Sequence, residues 1–178
     1  MQPLSIMKKI WKTIVSSYLC IKYPFLKAHF NRKKLIVRYA YLDEMPEGWK
    51  KAFGLQLCKE LKEALLRESR QKLKNYYVNQ VKEKYGSLRW YDSGGNVETD
   101  KIIKKYEEIS RHTCCKCGRP ASVISTGWIC PYCDNCIRNR NYRDFGLDNY
   151  PFYGWIGNVN CRDNWDKIVE AAKDDDKY

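Results

Sequence analysis

Histidine is scarce in this sequence, with two among 178 residues. Also missing are a G-x-S-x-G motif, a P-loop and any His-x-Glu pair, which mark serine hydrolases, P-loop enzymes and zinc deaminases. Two histidines are also too few for a metal-dependent nuclease of the kind that binds its metal through several histidines. The 21 scattered acidic residues leave a carboxylate-based active site as the one enzymatic alternative. We therefore expect a protein that is not an enzyme.

Long apolar runs are missing too. No stretch of 18 apolar residues occurs, so we expect no membrane span. The stretch IWKTIVSSYLCI is short, contains Lys12 and lacks a small-residue cleavage site, so we expect no secretory signal. The nine cysteines are odd in number and six lie close together, whereas a secreted disulfide framework is normally even and dispersed. These features predict a reducing cytoplasm, in which such cysteines bind metal.

Acidic residues are absent from the first 42 positions, which hold nine lysines and arginines. Residues 43–112 carry 15 basic and 12 acidic side chains, and residues 113–178 carry nine of each. The net charge of +12 therefore belongs mainly to the N-terminal quarter, and it excludes an acidic mimic of DNA.

Hydrophobic periodicity predicts helices together with a small sheet. The expected helices are 5–20, 47–70, 98–110 and one beginning at an Asp163 cap, and the expected strands are 35–42, 76–83 and 87–92. The last two strands meet at Tyr85-Gly86, which favours a hairpin that buries Leu88 and Trp90 against the helix from Glu47. The fold class is α+β, with helices packed on a small antiparallel sheet and an attached four-cysteine zinc module.

We expect two parts, a basic α+β body over residues 1–112 and a zinc-binding module with a C-terminal helix over residues 113–178. Within the body, the helix at 5–20 has a broad apolar stripe that includes Ile10 and Ile14. We expect this stripe to pack on its own domain. A dimer face and a membrane-surface anchor are the alternatives.

Six cysteines fall in the stretch CCKCGRPASVISTGWICPYCDNC, residues 114–136. Cys114 and Cys117, followed by Gly118, fit a zinc knuckle, because glycine tolerates the positive φ that turns backbone N–H groups toward the sulfurs. The second pair is either Cys133 with Cys136 or Cys130 with Cys133. The 15 residues between Cys117 and Cys133 suit two paired motifs, whereas the 12 before Cys130 are slightly short.

The predicted ligands are Cys114, Cys117, Cys133 and Cys136, holding one structural Zn²⁺. Cys130 stays a rival because Cys130-Pro131 is also knuckle-like, and His112 is a minor alternative. Cys115 and the unused cysteine are then small buried side chains. Four thiolates leave no coordination position for water or substrate, so the site is structural. A redox pair or a disulfide is the remaining alternative.

The strings KEKYGSLRWY (82–91), YPFL (23–26), DEMPEGWKKAFG (43–54) and GWICPYCDNC (127–136), with the CxxCG before the last, resemble a family of small proteins encoded by phages and prophages of Firmicutes. In such relatives the second pair looks like C-D-x-C, which supports Cys133 and Cys136. The sequence is also similar to a metal-containing anti-CRISPR protein of streptococcal phages, which blocks a type II CRISPR effector nuclease by binding it. The resemblance spans residues 23–136 and implies a non-enzymatic inhibitor in the cytoplasm of the infected host.

Two functions therefore compete. An inhibitor would contact the host CRISPR effector nuclease through tyrosine, tryptophan and arginine side chains, which dominate interface energetics, and would hinder the loading of target DNA. A zinc-ribbon protein would instead bind nucleic acid through its basic residues. The candidate contact residues for either partner are Arg32, Lys33, Lys34, Arg38, Arg138, Arg140 and Arg143. The sequence does not fix the oligomeric state.

Overall fold

The computed structural model describes residues 3–28, 33–125 and 129–138. Its α-helices are α1 (Pro3–Lys22), α2 (Glu47–Trp49), α3 (Leu55–Glu68), α4 (Arg70–Asn75), α5 (Val97–Arg111) and α6 (Asp134–Arg138). Its strands are β1 (Tyr77–Lys84), β2 (Ser87–Ser93), β3 (Val123–Ile124) and β4 (Pro131–Tyr132). Two 3₁₀ turns, Pro24–Leu26 and Tyr41–Glu44, and a π turn, Lys50–Gly54, complete the described elements. This helix-rich arrangement around small antiparallel pairs confirms the predicted α+β class.

The predicted hairpin is present. Strands β1 and β2 pair antiparallel from Tyr77 opposite Ser93 to Lys84 opposite Ser87. The two linking residues both have positive φ, 52° at Tyr85 and 71° at Gly86. Paired positive φ values at a two-residue loop match the right-handed twist of the strands, so this turn sets the hairpin register.

The hairpin buries Leu88 and Trp90 as predicted, in one cluster with Trp49 and Leu57 of the helical run from Glu47. The backbone of strand β2 also lies close to α5. The Leu88 N–H donates to Ser110 Oγ on α5 at 2.8 Å. Helix α5 is held at its start by Asn96, whose side chain accepts from the Thr99 N–H while Thr99 Oγ1 accepts from the Asn96 N–H. This reciprocal cap fixes where α5 begins and hence where it crosses the hairpin.

The predicted strand at 35–42 is wrong. The described part of this segment is irregular and then enters the 3₁₀ turn at Tyr41. Side chains take the place of a strand partner: Ser17 Oγ bonds both the N–H and the carbonyl of Val37, at 3.0 and 3.1 Å. Asp43 accepts from the Ala40 N–H at 3.0 Å. Tertiary hydrogen bonds thus override the β-propensity of LIVRYAYL.

The predicted helix at 47–70 is confirmed with two changes. A π turn interrupts it at Lys50–Gly54, and Ser69 ends it in an extended conformation. The Ser69 side chain then caps α4 by accepting from the Lys72 N–H. The apolar face of this helical run is buried, including Trp49, Leu57 and Leu61 at 0% exposure.

One hydrophobic core joins the body to the described part of the cysteine module. Trp49 and Leu57 from the body belong to the same buried cluster as Cys114, Tyr132 and Cys136. The boundary between residues 112 and 113 stays a prediction, and the helix expected from Asp163 lies outside the described residues.

Helix α1 packs on the body through a different face from the one expected. Its small side chains at Ser16 and Cys20 are buried, whereas Met7, Trp11 and Ile21 are 69, 68 and 69% exposed. Of the predicted apolar stripe, Leu19 is buried, but most of the other members are exposed, so the predicted packing of the whole stripe is not found against the residues that the structure describes. Among these residues, no helix combines the length and the hydropathy that a bilayer crossing requires.

Candidate metal centre

The first cysteine pair lies on a tight turn immediately after α5. Thr113 bridges to Pro120, and the Cys114 N–H donates to the Arg119 carbonyl at 2.8 Å. The Gly118 N–H donates to the Cys114 carbonyl at 2.9 Å, and Gly118 has the predicted positive φ, 83°. A glycine is required here because an L side chain is strained in that region. The turn therefore brings residues 114 and 117 to one side.

The second pair lies where β4 passes into α6. Strand β4 pairs with β3, with Val123 opposite Tyr132. This two-residue ladder directs the chain toward the turn that carries Cys114 and Cys117. Cys133 directly precedes α6 and Cys136 lies within it. The Ile137 N–H donates to the Cys133 carbonyl at 3.0 Å, a helical spacing that places the thiols of residues 133 and 136 on the same side.

The two turns bring the four predicted ligands together. The sulfur atoms of Cys114, Cys117, Cys133 and Cys136 all lie within 4.8 Å of one another. Zn–S bonds of about 2.3 Å in a tetrahedron place sulfurs about 3.8 Å apart. The distance between the Cys117 and Cys133 sulfurs is 3.6 Å, and these cysteines are free thiols. The donor set and its spacing therefore fit a tetrahedral metal ion.

Arg119 lies beside this cluster. Its Nε is 3.5 Å from the Cys117 sulfur, and its Nη2 is 3.7 Å from the Cys133 sulfur. Four thiolates around a divalent ion carry a net charge of −2, so a guanidinium at this distance offsets part of the excess. Hydrogen bonds of this kind orient ligands and tune metal affinity.

Burial and hydrogen bonds within the cluster shift the pKa values of its thiols. Burial raises the pKa of Cys114 and of Cys136, the latter to about 12. Burial also raises the pKa of Cys117, but hydrogen bonds from Arg119 and neighbouring thiols outweigh it and bring that pKa down to about 6. Metal binding requires all four as thiolates and releases their protons.

The rival ligands lie elsewhere. Cys130 and Cys115 are both buried, outside the four-sulfur group. At Cys115 the hydrogen bond with Cys130 outweighs burial and lowers the pKa. At Cys130 the same hydrogen bond and burial both raise the pKa. His112 is exposed and its ring contacts Glu108 at 3.1 Å. The structure therefore favours Cys136 over Cys130 and places His112 outside the cluster.

Two hydrogen bonds from α2 to backbone carbonyls of the cysteine module hold the module on this helix. The Gly48 N–H donates to the Cys115 carbonyl at 2.8 Å, and Trp49 Nε1 donates to the Thr113 carbonyl at 2.7 Å. A Cβ on Gly48 would lie 2.2 Å from the Cys114 carbonyl oxygen and 2.7 Å from the Gly118 nitrogen. Only glycine allows the two backbones to approach this closely.

The candidate basic contacts are not assembled into one site by the described residues. Lys33, Lys34 and Arg38 are exposed on the irregular segment after α1. Arg138 is the last residue of α6. Arg32, Arg140 and Arg143 lie outside the described residues.

Two residues important to the metal centre were missed by the sequence analysis. Arg119 directly follows Cys-x-x-Cys-Gly, and a basic residue at that place is a signal that a search for charge near the thiols would have found. Gly48 carries no such signal, because its partners are more than 60 positions away.

Comparison of the chain with protein-family models, with curated proteins and with solved structures gives no match.

Proposed function

We propose that this chain binds one Zn²⁺ through Cys114, Cys117, Cys133 and Cys136, and that the metal is structural. The observation that carries the proposal is the approach of these four sulfurs to within 4.8 Å of one another. A single ion would join the turn after α5 to the start of α6, in addition to the hydrogen bond that the Cys115 N–H donates to the Pro131 carbonyl.

A site of this kind stabilises and does not catalyse. Four protein thiolates fill a tetrahedral shell, so neither water nor substrate has a position on the metal. Structural zinc contributes about 10–16 kcal/mol of apparent free energy in small domains, comparable with the ~5–15 kcal/mol net stability of a whole domain. The protein thus acts as a rigid, non-enzymatic binding scaffold.

The proposed target is a host defence nuclease, a type II CRISPR effector, bound in the cytoplasm of a bacterium infected by a phage. Support comes from the resemblance carried by residues 23–136 and from the closed character of the cysteine cluster. The positive charge of the chain favours contact with an acidic protein surface, by which the inhibitor would hinder loading of target DNA.

A second candidate function is direct binding of nucleic acid. It is favoured by the exposure of Lys33, Lys34 and Arg38 on one short segment. Each phosphate contact made by such side chains releases counterions, so affinity would fall steeply between low and moderate salt.

The zinc proposal is tested by elemental analysis of the purified chain, with Cys117→Ser beside Cys20→Ala. Both variants lose one buried or half-buried thiol, but Cys20 belongs to the body core and not to the cluster. We expect one zinc per chain in the parent and in Cys20→Ala, and loss of zinc in Cys117→Ser. Stoichiometric zinc in Cys117→Ser would refute the ligand set.

The inhibitor proposal is tested by capture of a purified type II effector and by inhibition of its DNA cleavage. Binding of a short duplex and of a single strand is measured in parallel at low and moderate salt. Capture and inhibition with negligible DNA affinity would support the proposal. Salt-sensitive DNA binding without capture would replace it with the second candidate.

A further inference from the structure

Cys115 and Cys130 form a second pair of cysteines beside the four-sulfur cluster. Their thiols are hydrogen-bonded to each other, and neither belongs to the group of four proposed ligands. Both are free thiols, with 9 and 4% of their surface exposed. The proposed zinc site gives this pair no role, so any chemistry that it has is separate from metal coordination.

Backbone hydrogen bonds hold Cys115 in place from two sides. Its N–H donates to the Pro131 carbonyl at 2.9 Å, and its carbonyl accepts from the Gly48 N–H at 2.8 Å. The Tyr132 hydroxyl is also hydrogen-bonded to the Cys115 sulfur. The bond to Pro131 places the Cys115 backbone beside the segment that carries Cys130, so the contact of the two thiols follows from main-chain pairing.

Ser125 fixes the backbone of Cys130. The Cys130 N–H donates to Ser125 Oγ at 3.0 Å. The Cys130 carbonyl accepts from the Ser125 N–H at 3.0 Å and from Ser125 Oγ at 3.2 Å. Both thiols therefore project from backbone that is already ordered, and little conformational entropy is lost when the sulfurs are brought together.

Two thiols in contact on ordered backbone are arranged for a disulfide. Formation of the bond shortens the distance between the sulfurs from hydrogen-bond contact to about 2.05 Å. Rotation of the two side chains can supply this movement, because the main-chain bonds of Cys115 to Pro131 and of Cys130 to Ser125 do not involve the sulfurs.

Metal coordination would withdraw the neighbouring thiols from the same reaction. With the four cluster sulfurs bound to Zn²⁺, each is shared with an ion that has no open position. In this respect the inference rests on the proposed zinc site. The other two described cysteines, Cys20 on α1 and Cys58 on α3, lie in the core of the body. In the zinc-loaded chain, oxidation should therefore be directed to Cys115 and Cys130.

We propose that Cys115 and Cys130 are a site of reversible oxidation, at which hydrogen peroxide converts the two thiols into a disulfide. The more exposed sulfur, that of Cys115, attacks an oxygen of peroxide, which breaks the O–O bond, gives a sulfenic acid and releases water. The Cys130 sulfur then attacks the sulfenic sulfur, forms the S–S bond and expels a second water. In all, the two thiols lose two electrons and two protons, and the peroxide gains them.

The disulfide would tie the turn after α5 to the segment that enters β4. These segments lead into the two pairs of zinc ligands. The 14 residues between Cys115 and Cys130 would become a closed loop, and closure of a loop of about this length disfavours the open form of a chain by a factor of about 100. The oxidised chain should therefore bind zinc up to about 100-fold more tightly, because its zinc-free form is restricted in this way.

The test treats the full zinc-loaded chain with one equivalent of hydrogen peroxide and maps the product without reduction. Zinc is measured on the same sample before and after. We expect zinc to be retained and the intact mass to fall by two hydrogens. We also expect a link between the tryptic peptides 112–116 and 117–138, which fragmentation assigns to Cys115 and Cys130. Dithiothreitol should reverse the link, and competition with a chelator should show the tighter zinc binding of the linked form.

Single-thiol variants provide the matched controls. Cys115→Ala and Cys130→Ala should bind zinc as the parent does and should not form the link. Cys20→Ala also removes a buried thiol, but from the body core, and it should keep both the zinc and the link. The link is mapped on the parent chain, so the test does not depend on the folding of any variant.

Two results would overturn the proposal. One is a zinc-loaded chain in which peroxide gives no link between Cys115 and Cys130. The other is an oxidation that expels zinc and joins the cluster cysteines to one another. An unchanged zinc affinity in the linked form would refute the coupling to the metal. A parent chain without zinc that still forms the link would refute the metal site and support the thiol pair, so the failures of the two proposals are distinguishable.

Discussion

Replacing Gly48 with alanine tests how the cysteine module is held on the body. The added Cβ would lie 2.2 Å from the Cys114 carbonyl oxygen, 2.7 Å from the Cys115 carbonyl carbon and 2.7 Å from the Gly118 nitrogen. All three are backbone atoms, so no side-chain rotation relieves the overlap. The module must move away from α2 by about 1 Å to restore ordinary contact distances.

Such a movement breaks specific bonds. The Gly48 N–H to Cys115 carbonyl bond and the Trp49 to Thr113 bond, 2.8 and 2.7 Å long, contribute about 1 kcal/mol each. Overpacking itself costs about 1–3 kcal/mol. We therefore expect Gly48→Ala to lower the free energy of unfolding by about 3–5 kcal/mol, a large part of a typical domain stability of ~5–15 kcal/mol.

Gly54→Ala is the matched control. It is also a glycine in the same helical run, but its Cβ would meet only side-chain atoms, at 3.4–3.5 Å. Alanine is favoured over glycine in a helix by up to about 1 kcal/mol, so Gly54→Ala should leave stability unchanged or raise it slightly. Denaturant unfolding of the zinc-loaded proteins, followed by circular dichroism, gives both values. The reasoning fails if the free energy of unfolding of Gly48→Ala lies within about 0.5 kcal/mol of the parent value. It also fails if Gly54→Ala lowers the free energy of unfolding more than Gly48→Ala does.

Three further predictions concern the metal centre, the helix pair and a cap. Arg119→Gln should weaken zinc binding about 10–100-fold in competition with a chromophoric chelator, and Lys101→Gln should not. Burial raises the pKa of Glu60, but hydrogen bonds led by that from Lys105 outweigh it and lower the pKa below its ordinary value. The ionised carboxylate therefore stabilises the fold at pH values above the pKa that Glu60 has in the unfolded chain. This stabilisation is lost as the pH falls through the lower pKa of the folded state. The difference in free energy of unfolding between the parent and Glu60→Gln should therefore disappear in acid. Asn96→Ala should lower the unfolding free energy by about 1 kcal/mol, because it removes the cap of α5, and an unchanged value would contradict the reciprocal cap.

The sequence predicts best what is local. The spacing of Cys114 and Cys117, and of Cys133 and Cys136, allows one turn of chain to bring the members of each pair together, although the same spacing also fits Cys130 with Cys133. The turn at Tyr85-Gly86 is local in the same sense. Both features are found in the structure as predicted.

The failures involve partners that are distant in sequence. The apolar run at 35–42 has strand propensity, but Ser17 occupies the backbone bonds of Val37 that a neighbouring strand would have used. Periodicity also identifies α1 as a helix without showing which face turns inward. The face that turns inward carries Ser16, Leu19 and Cys20, and Ser16 donates to Asp43, whereas the usual rule buries the most apolar face.

The metal centre and the body core share one piece of backbone. The Cys115 carbonyl accepts from Gly48 on α2, while the Cys115 N–H donates to the Pro131 carbonyl at the start of β4. Cys114, one residue earlier, is a ligand of the proposed ion and is itself fully buried in the common core. A change on either side of this residue pair is transmitted to the other, because neither peptide group can shift without lengthening a hydrogen bond on the opposite side. Zinc coordination should therefore stabilise the position of α2, and through Trp49 the centre of the body, so that the free energy of metal binding is not confined to the module that contains the ligands.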